Sequence, residues 1–295
     1  MIILVVGMLS HDSGKTGVAV SLIAEARSRG MNVGASKPVS GFNGWTQYEY
    51  VALSAERGIL VGEDMYLLLK ASGTQEPLEA VGPLVSLLMP PDPERSGWRI
   101  SAYRSMVTNP REQVVVARIT SCGKGGVKST HHIYVPENIE KLPQRLEEAA
   151  WKLVGSLNPE PKPLSPAVME ELLGMDGVIH ADTCLDHLAS KHDLLVVESY
   201  NDAALPTPGC LKASAVVAVA PGKAAIYSGD KYRKAVQAAA GIRKPWQLTT
   251  EDVLTLIKPS RVVPLKPEKR PKETAWAEGL LDAVLSVVME KAAVF

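Results

Sequence analysis

The chain has 295 residues, of which 46% are hydrophobic and 22% charged, and its formal net charge at pH 7 is zero. This balance is typical of a soluble globular protein, and it gives no long-range basic field for nucleic acid. No apolar run is long enough to cross a membrane, and the first residues form no charged leader. We therefore expect no nucleic acid partner, no membrane partner and no signal peptide.

The three cysteines lie far apart in the sequence and form no paired motif; they are Cys122, Cys184 and Cys210. A disulfide framework is not expected from such spacing, so we predict reduced thiols. Reduced thiols and the absence of a leader favour the cytoplasm.

The amino terminus predicts a phosphate-binding loop. Residues 2–6 (IILVV) form an apolar run typical of a strand buried on both faces. A polar loop leads to Gly14-Lys15-Thr16 and to a helix predicted over residues 15–29. At a helix N-terminus backbone amides face an anion, a lysine adds a cation, and a threonine hydroxyl can ligate Mg²⁺. The predicted nucleotide-binding residues are Ser10, His11, Asp12, Ser13, Gly14, Lys15, Thr16 and Gly17.

This loop departs from the usual phosphate-loop pattern at its first glycine. Leu9 stands where that glycine is expected, and the nearest upstream glycine is Gly7. Two alternatives stay open for this reason: an ordinary strand-to-helix turn that contains GKT, and a scaffold that no longer binds nucleotide. His11 either contacts the phosphate or packs the loop.

Two further charged residues are predicted at strand ends. A short strand over residues 33–36 is followed by Lys37, and a buried strand over residues 193–198 ends at Glu198. Ligands of α/β sheets lie beyond the carboxyl ends of the strands, so Lys15 and Lys37 are expected to approach one ligand. A carboxylate at such a strand end is costly unless it is paired or metal-bound, so we predict that Glu198 helps to hold Mg²⁺. The alternatives are a solvated lysine and a capping carboxylate.

The remaining chain predicts an α/β fold with a mostly parallel sheet and helices on both faces. A further buried strand, 215–220, ends at Pro221-Gly222-Lys223, where a ligand base could rest. Residues 94–175 are predicted to be a subdomain inserted into a single domain, 1–295. The insertion holds a strand over 114–119, a glycine-rich basic hairpin over 121–128 and helices over 142–157 and 165–173. A strand over 261–265, a charged linker over 266–272 and a helix over 275–292 complete the prediction.

A cluster of potential metal ligands precedes the strand that ends at Glu198. On a helix some of its members could share a face and bind zinc, but a second ligand cluster is not evident. We therefore favour an ordinary helix start capped by Asp182 or Thr183. The cluster consists of His180, Asp182, Cys184, Asp186 and His187.

Three motifs in order, Gly14-Lys15-Thr16, Lys37-Pro38-Val39 and Val196-Val197-Glu198, carry a resemblance to a known family. The chain resembles the dethiobiotin synthetase branch of P-loop NTPases, which is related to cobyrinic acid diamide synthases. In that group a loop ending in GKT is followed by a KP-V motif and later by a strand ending in V-E-G. The resemblance covers the first forty-odd residues and the region from about 193 to 265.

The resemblance implies a P-loop NTPase core and an ATP- and Mg²⁺-dependent ligase-like reaction. Lys15 would hold the β- and γ-phosphates, and Thr16 and Glu198 would ligate Mg²⁺. Lys37 would neutralise charge on the γ-phosphate and on an acyl phosphate, and Glu49 is a weaker candidate metal ligand. The implied catalytic residues are thus Lys15, Lys37 and Glu198, and the substrate would be a carboxylate or a similar small-molecule group.

The resemblance also leaves alternatives. Residues 199–202 (SYND) replace the glycine-rich continuation of the family, so the second substrate is expected to differ. A nucleotide-dependent switch ATPase or GTPase that acts through a protein partner, or a P-loop kinase, is the alternative function. The related enzymes pair as homodimers, which allows a homodimer here.

Overall fold

The computed structural model describes residues 1–241, 243–267, 277 and 279–292. Its strands are β1 (Ile2–Gly7), β2 (Val33–Ser36), β3 (Val39–Asn43), β4 (Leu84–Leu88), β5 (Val114–Gly123), β6 (Gly126–Tyr134), β7 (Lys162–Pro163), β8 (Leu194–Glu198), β9 (Ala215–Ala220), β10 (Lys223–Ser228) and β11 (Arg261–Pro264). Its helices are α1 (Lys15–Ser28), α2 (Tyr48–Arg57), α3 (Glu63–Ser72), α4 (Leu78–Val81), α5 (Ile100–Thr108), α6 (Pro110–Gln113), α7 (Pro136–Ile139), α8 (Gln144–Ser156), α9 (Pro166–Glu171), α10 (Gly177–Lys191), α11 (Gly229–Ala240), α12 (Thr250–Leu254) and α13 (Leu280–Ala292).

The chain divides into two compact units. The first contains Met1–Val39, Leu67–Pro77 and Leu185–Phe295, and the second contains Ser40–Tyr66 and Leu78–Cys184. Residues 94–175, the predicted insertion, lie within the second unit. Each unit is built around its own sheet.

The sheet of the first unit has the strand order β11-β10-β9-β1-β8-β2. β1 pairs in parallel with both β8 and β9, and β2 pairs in parallel with β8. β10 is antiparallel to both β9 and β11. The α/β class is confirmed, but the prediction of a mostly parallel sheet is wrong because a tight turn at Gly222 (φ 83°), not a crossover helix, joins β9 to β10.

The sheet of the second unit is mixed as well, with the order β3-β4-β5-β6-β7. β5 is antiparallel to β4 and β6, whereas β6 and β7 are parallel. The glycine-rich basic segment predicted as a hairpin, 121–128, contains the end of β5, the turn at Lys124 and Gly125, and the start of β6.

The core of the first unit explains why β1 is apolar throughout. All six of its residues are buried. Val18, Leu22 and Ile23 on α1 belong to the same apolar cluster as the β1 side chains Ile3 and Val5. The cluster also includes residues of α13, namely Leu280, Leu281 and Val284. A strand between two parallel neighbours therefore contributes side chains to buried surfaces on both faces.

Local predictions hold best where apolar runs are short and bounded. The strands predicted over 33–36 and 215–220 have those bounds, and the strand predicted over 114–119 continues to Gly123. The last helix begins at Leu280 within the described residues. Residues 275, 276 and 278 of that predicted helix, and residues 268–272 of the predicted linker, lie outside the described residues.

The prediction of three reduced thiols is wrong, because Cys122 and Cys184 form a disulfide across a sequence separation of 62 residues. β5 runs to Gly123 and brings Cys122 beside α10, so the two Cα atoms lie 4.7 Å apart. Cys210 is buried and forms no disulfide. Sequence spacing alone gives no sign of this pairing.

The cluster on α10 forms part of a helix, and the disulfide engages one of its members. α10 begins at Gly177, so Asp182 and Thr183 lie in its interior and the prediction that one of them caps its start is wrong. The Thr183 hydroxyl donates to the His180 carbonyl and accepts from the Cys122 amide. Cys184 is bonded to sulfur, and the described residues contain no group of three or more His, Cys, Asp or Glu that could hold a metal ion.

A polar network lies inside the second unit. Arg118 is fully buried and donates to the carbonyls of Leu60 and Gly82 and to the Thr120 hydroxyl. Its cross-strand neighbour His132 accepts from the Leu60 amide. Burial lowers the pKa of Arg118 to about 10 and that of His132 to about 4.

Within the described part of the chain, no helix is long and apolar enough to span a membrane.

Candidate functional site

The strand order of the first unit creates a topological switch point between β1 and β8. From β1 the chain passes through α1 to β2, which lies beyond β8 in the sheet. From β8 the chain crosses in the other direction to β9, beyond β1. In open α/β sheets ligands bind outside the carboxyl ends of the strands at such a point. The predicted loop and Glu198 both follow these carboxyl ends.

The loop between β1 and α1 runs from Met8 to Gly14. Gly14 has a left-handed backbone (φ 89°) and directly precedes the first residue of α1, Lys15. Asp12, with φ 55°, is also left-handed. The Met8 amide donates to the Val219 carbonyl at 2.9 Å, which extends the pairing of β1 with β9 into the loop. Ser10, His11 and Asp12 are exposed.

The side chains of Lys15 and Ser13 approach the backbone closely at Gly7, not at Leu9. The Lys15 side chain is buried, and its Nζ donates to Ser13 Oγ at 3.2 Å. A Cβ atom added to Gly7 would lie 2.7 Å from both Lys15 Nζ and Ser13 Oγ. The added Cβ would also lie 2.9 Å from the Leu9 carbonyl oxygen, which is backbone, so glycine is favoured where Lys15 folds over the end of β1, one residue before the loop begins. Leu9 stands where the usual glycine is expected, but it is not the position at which the Lys15 side chain needs space.

Two predicted site residues, Thr16 and Lys37, contact a third, Glu198. Thr16 Oγ1 donates to Glu198 Oε1 at 2.8 Å, and Lys37 Nζ donates to the same oxygen at 2.8 Å. Lys37 also donates to the Ser199 carbonyl at 3.0 Å. The side chains of Lys37 and Glu198 are only 3% and 1% exposed. Lys37 is therefore a buried ion-pair partner rather than a solvated lysine.

The register of the sheet explains why Lys37 and Glu198 come into contact. Glu198 is aligned with Val5 of β1, and Ser36 of β2 is aligned with Val197. Parallel strands in this register end at the same edge, so residues that follow them in the chain come together across large sequence distances. The structure thus groups Lys15, Thr16, Lys37 and Glu198 in one unit.

Other residues that the sequence predicted for the site lie away from Glu198. Glu49 is exposed in the first turn of α2, in the second unit, and its role stays a prediction. Gly17 is half-buried within the first turn of α1. Pro221 and Lys223 are exposed at the turn between β9 and β10.

The sequence did not predict a role for the residues directly after Glu198 or for α12. The Ser199 hydroxyl donates to the Ala203 carbonyl at 2.6 Å and holds the turn that follows β8. Burial, together with nearby Asp202, raises the pKa of Tyr200, so its hydroxyl remains protonated at neutral pH. Thr250 of α12 contacts the Gly7 carbonyl. The capping pattern Thr249 to Asp252 indicates a helix start, but it gives no sign of that contact.

The donor atoms at the strand ends fit Mg²⁺. A threonine hydroxyl and a carboxylate are hard oxygen ligands, and Mg²⁺ takes few ligands from the protein because it keeps waters and phosphate oxygens. One acidic ligand, Glu198 beside Thr16, is therefore enough for Mg²⁺. The site does not need a group of three His, Cys, Asp or Glu ligands, and the described residues contain none. Lys15 and the start of a helix of 14 residues add positive charge at this edge of the sheet, whereas the charge of Lys37 is offset by Glu198.

The second unit contains a separate surface groove of about 410 Å³. Its lining mixes cationic, anionic and neutral side chains and includes none of the predicted site residues. The lining residues are Asn109, Arg111, Glu112, Glu137, Lys141, Ser165, Pro166 and Ala167. The groove therefore belongs to a different region from the candidate site.

No protein-family model, no curated protein and no solved structure matches this chain. The functional argument accordingly depends on the geometry of the candidate site and on its sequence motifs.

Proposed function

We propose that the chain is an ATP- and Mg²⁺-dependent P-loop enzyme of the dethiobiotin synthetase-like group. Its reaction would transfer the γ-phosphoryl group to a carboxylate or a similar group of a small molecule, as in a ligase. The observation that carries this proposal is the meeting of Thr16 and Lys37 on one oxygen of Glu198, beside Lys15 at the start of α1.

Each residue has a defined task in this proposal. Bound Mg·ATP supplies the group that is transferred and much of the charge neutralisation. Lys15 and the amides at the start of α1 hold the phosphates, while Thr16 and Glu198 hold the metal ion. Lys37, buried at the next strand end, stabilises negative charge that develops during transfer. The chain thereby acts mainly by positioning and electrostatics.

Calorimetric titration of the full-length protein with ATP and Mg²⁺ tests nucleotide binding. We expect saturable binding to the native chain and a loss of about tenfold or more in affinity for Lys15→Ala, because a charge-assisted contact to phosphate is removed. Lys212→Ala is the control, since Lys212 lies in the same unit and pairs with exposed Asp186 on the surface. Equal ATP affinity in Lys15→Ala and the native protein, or no saturable binding to the native protein, would overturn the proposal.

The reaction class is tested by measuring ADP formation with a panel of small carboxylates, amines and diamino acids. We expect at least one carboxylate to stimulate turnover, and Lys37→Met to lower kcat more than it raises KM. Stimulation only by amines or hydroxyl compounds would replace the ligase-like reaction with a kinase reaction.

The cytoplasm remains the proposed compartment, because an ATP-dependent reaction suits it. Disulfides such as Cys122–Cys184 are rare in the cytoplasm of mesophiles, but intracellular proteins of hyperthermophiles contain them. A homodimer, as in the related enzymes, is part of the same proposal, and light scattering of the purified protein measures it.

A further inference from the structure

Thr250 connects the two loops that follow β1 and β8. Its hydroxyl donates to the Gly7 carbonyl at 2.7 Å, and its amide donates to the Asp202 carbonyl at 2.7 Å. Gly7 is the last residue of β1, and Asp202 lies in the loop after Glu198. Thr250 is only 2% exposed, so water does not compete for these hydrogen bonds. One residue thus holds both loops of the candidate site.

The segment around Thr250 is itself fixed. Ala203 and Thr249 form an antiparallel bridge, and the Ala204 amide donates to the Leu248 carbonyl at 2.9 Å. Thr249 and Asp252 form a capping box at the start of α12. These bonds restrain the backbone of Thr250, so its hydroxyl has a defined position relative to the end of β1.

The two loops need such external support. Asp12 and Asn201 have left-handed backbones, with φ 55° and 42°, and neither is glycine. Asp and Asn tolerate this region better than other residues, yet it remains less favourable than the right-handed region. One of these residues lies in the loop after β1, and the other in the loop after β8. The contacts of Thr250 add to the stabilisation of both conformations, beside the bond from the Ser199 hydroxyl to the Ala203 carbonyl within the second loop.

We propose that Thr250 is a positioning residue of the nucleotide site, which fixes the entry into the phosphate loop and the turn after Glu198 at the same time. This inference rests on the proposed function. By binding the Gly7 carbonyl, Thr250 sets the direction in which the chain leaves β1, and hence the direction of the loop amides. By binding the Asp202 carbonyl, it holds the turn whose first residue, Ser199, accepts from Lys37.

Hydrogen–deuterium exchange of the full-length protein without nucleotide tests the structural part. Thr250→Val removes the hydroxyl and keeps the shape, whereas Thr250→Ser keeps the hydroxyl. We expect faster exchange in Thr250→Val for residues 8–14, and recovery in Thr250→Ser. Residues 199–202 should exchange as in the native protein, because the backbone amide of residue 250 still donates to the Asp202 carbonyl. Thr255→Val is the matched control, because the Thr255 hydroxyl donates to Glu251 within the same helical region. Unchanged exchange of residues 8–14 in Thr250→Val would overturn the inference.

ATP titration in the presence of Mg²⁺ tests the functional part, at a temperature well below the unfolding midpoint of every variant. We expect Thr250→Val to weaken ATP binding by about tenfold, because a buried carbonyl loses its donor and the loop reorients. Thr250→Ser should recover most of the affinity, and Thr255→Val should bind like the native protein. Native-like ATP affinity in Thr250→Val would overturn the positioning role.

The two experiments separate the inference from the proposed function. If the native protein binds no ATP, the proposed function fails, and with it the role of Thr250 in nucleotide binding. The exchange experiment would still show whether the Thr250 hydroxyl holds the loop after β1. If the native protein binds ATP and Thr250→Val binds equally well, the proposed function stands and only the inference fails.

Discussion

Lys37 and Glu198 form an ion pair that is shielded almost completely from water. Burial of two charges is expensive, and the direct contact with good geometry offsets that cost. Thr16 adds a hydrogen bond to the carboxylate oxygen that Lys37 contacts.

Removal of Lys37 should destabilise the protein strongly. We expect Lys37→Met to lower the free energy of unfolding by about 3–5 kcal/mol, because the carboxylate of Glu198 stays buried without this cation. Glu198→Gln in the same chain should recover part of the loss. Urea denaturation measures both variants.

The exposed pair Lys212–Asp186 provides the control for that experiment. Its side chains are 62% and 57% exposed, so Lys212→Met should change the free energy of unfolding by less than about 1 kcal/mol. Equal losses for Lys37→Met and Lys212→Met would contradict the structural role assigned to the buried pair.

His132 should make stability depend on pH in the acidic range. Burial lowers its pKa to about 4, whereas an unfolded histidine titrates near its ordinary value of 6.5. Between these two values the unfolded chain binds more protons, so this contribution destabilises the fold as pH falls from about 6.5 to 4 and is absent above. The expected loss is on the order of 3 kcal/mol.

Urea denaturation of the native protein and His132→Gln over this pH range isolates the effect. The native protein should lose more stability on acidification than the variant. His131→Gln is the control, because His131 precedes His132 on β6 and is exposed. Parallel pH profiles for the native protein and His132→Gln would contradict the assignment.

At the scale of elements, the disulfide connects β5 to α10. Closing a loop of 62 residues limits the freedom of the unfolded chain, which stabilises the fold by about 4 kcal/mol in the chain-entropy model. We expect a reductant to lower the stability of the native protein by up to about this amount, and to leave the Cys122→Ala/Cys184→Ala variant unchanged.

Thiol counting gives an independent check of this bond. Without reductant, the denatured native protein should expose one reactive thiol, that of Cys210. With reductant it should expose all three cysteines of the sequence. Three reactive thiols without reductant would show that Cys122 and Cys184 are not bonded.

At the scale of the whole molecule, the two units carry separate features. Lys15, Thr16, Lys37, Glu198 and Thr250 belong to the first unit, while both cysteines of the disulfide belong to the second. Each unit has its own sheet. Binding of a ligand at the candidate site and reduction of the disulfide therefore act on different units.

Scanning calorimetry should resolve these perturbations if the units unfold independently. ATP with Mg²⁺ at a hundredfold excess over its dissociation constant should stabilise the first unit by about 2.7 kcal/mol and raise only its transition. Reductant should lower only the transition of the second unit. A single transition that moves in response to both additions would show that the units unfold together.

The sequence by itself determined the elements whose signals are local. β1, β2 and β9 follow from short apolar runs bounded by turn residues, and α1 ends at Ser28, one residue before its predicted end at residue 29. Lys37 and Glu198 could be predicted as neighbours because parallel strands end at one edge of a sheet.

Only the tertiary structure decided the contacts that join distant residues. The antiparallel placement of β10, the disulfide, the buried Arg118 and the bond from Thr250 to Gly7 have no local signal. Periodicity reports which face of an element is buried, whereas the identity of the neighbour depends on strand order and packing. Thr250 and Gly7 are 243 positions apart, so their contact exists only because the sheet brings the end of β1 to the start of α12.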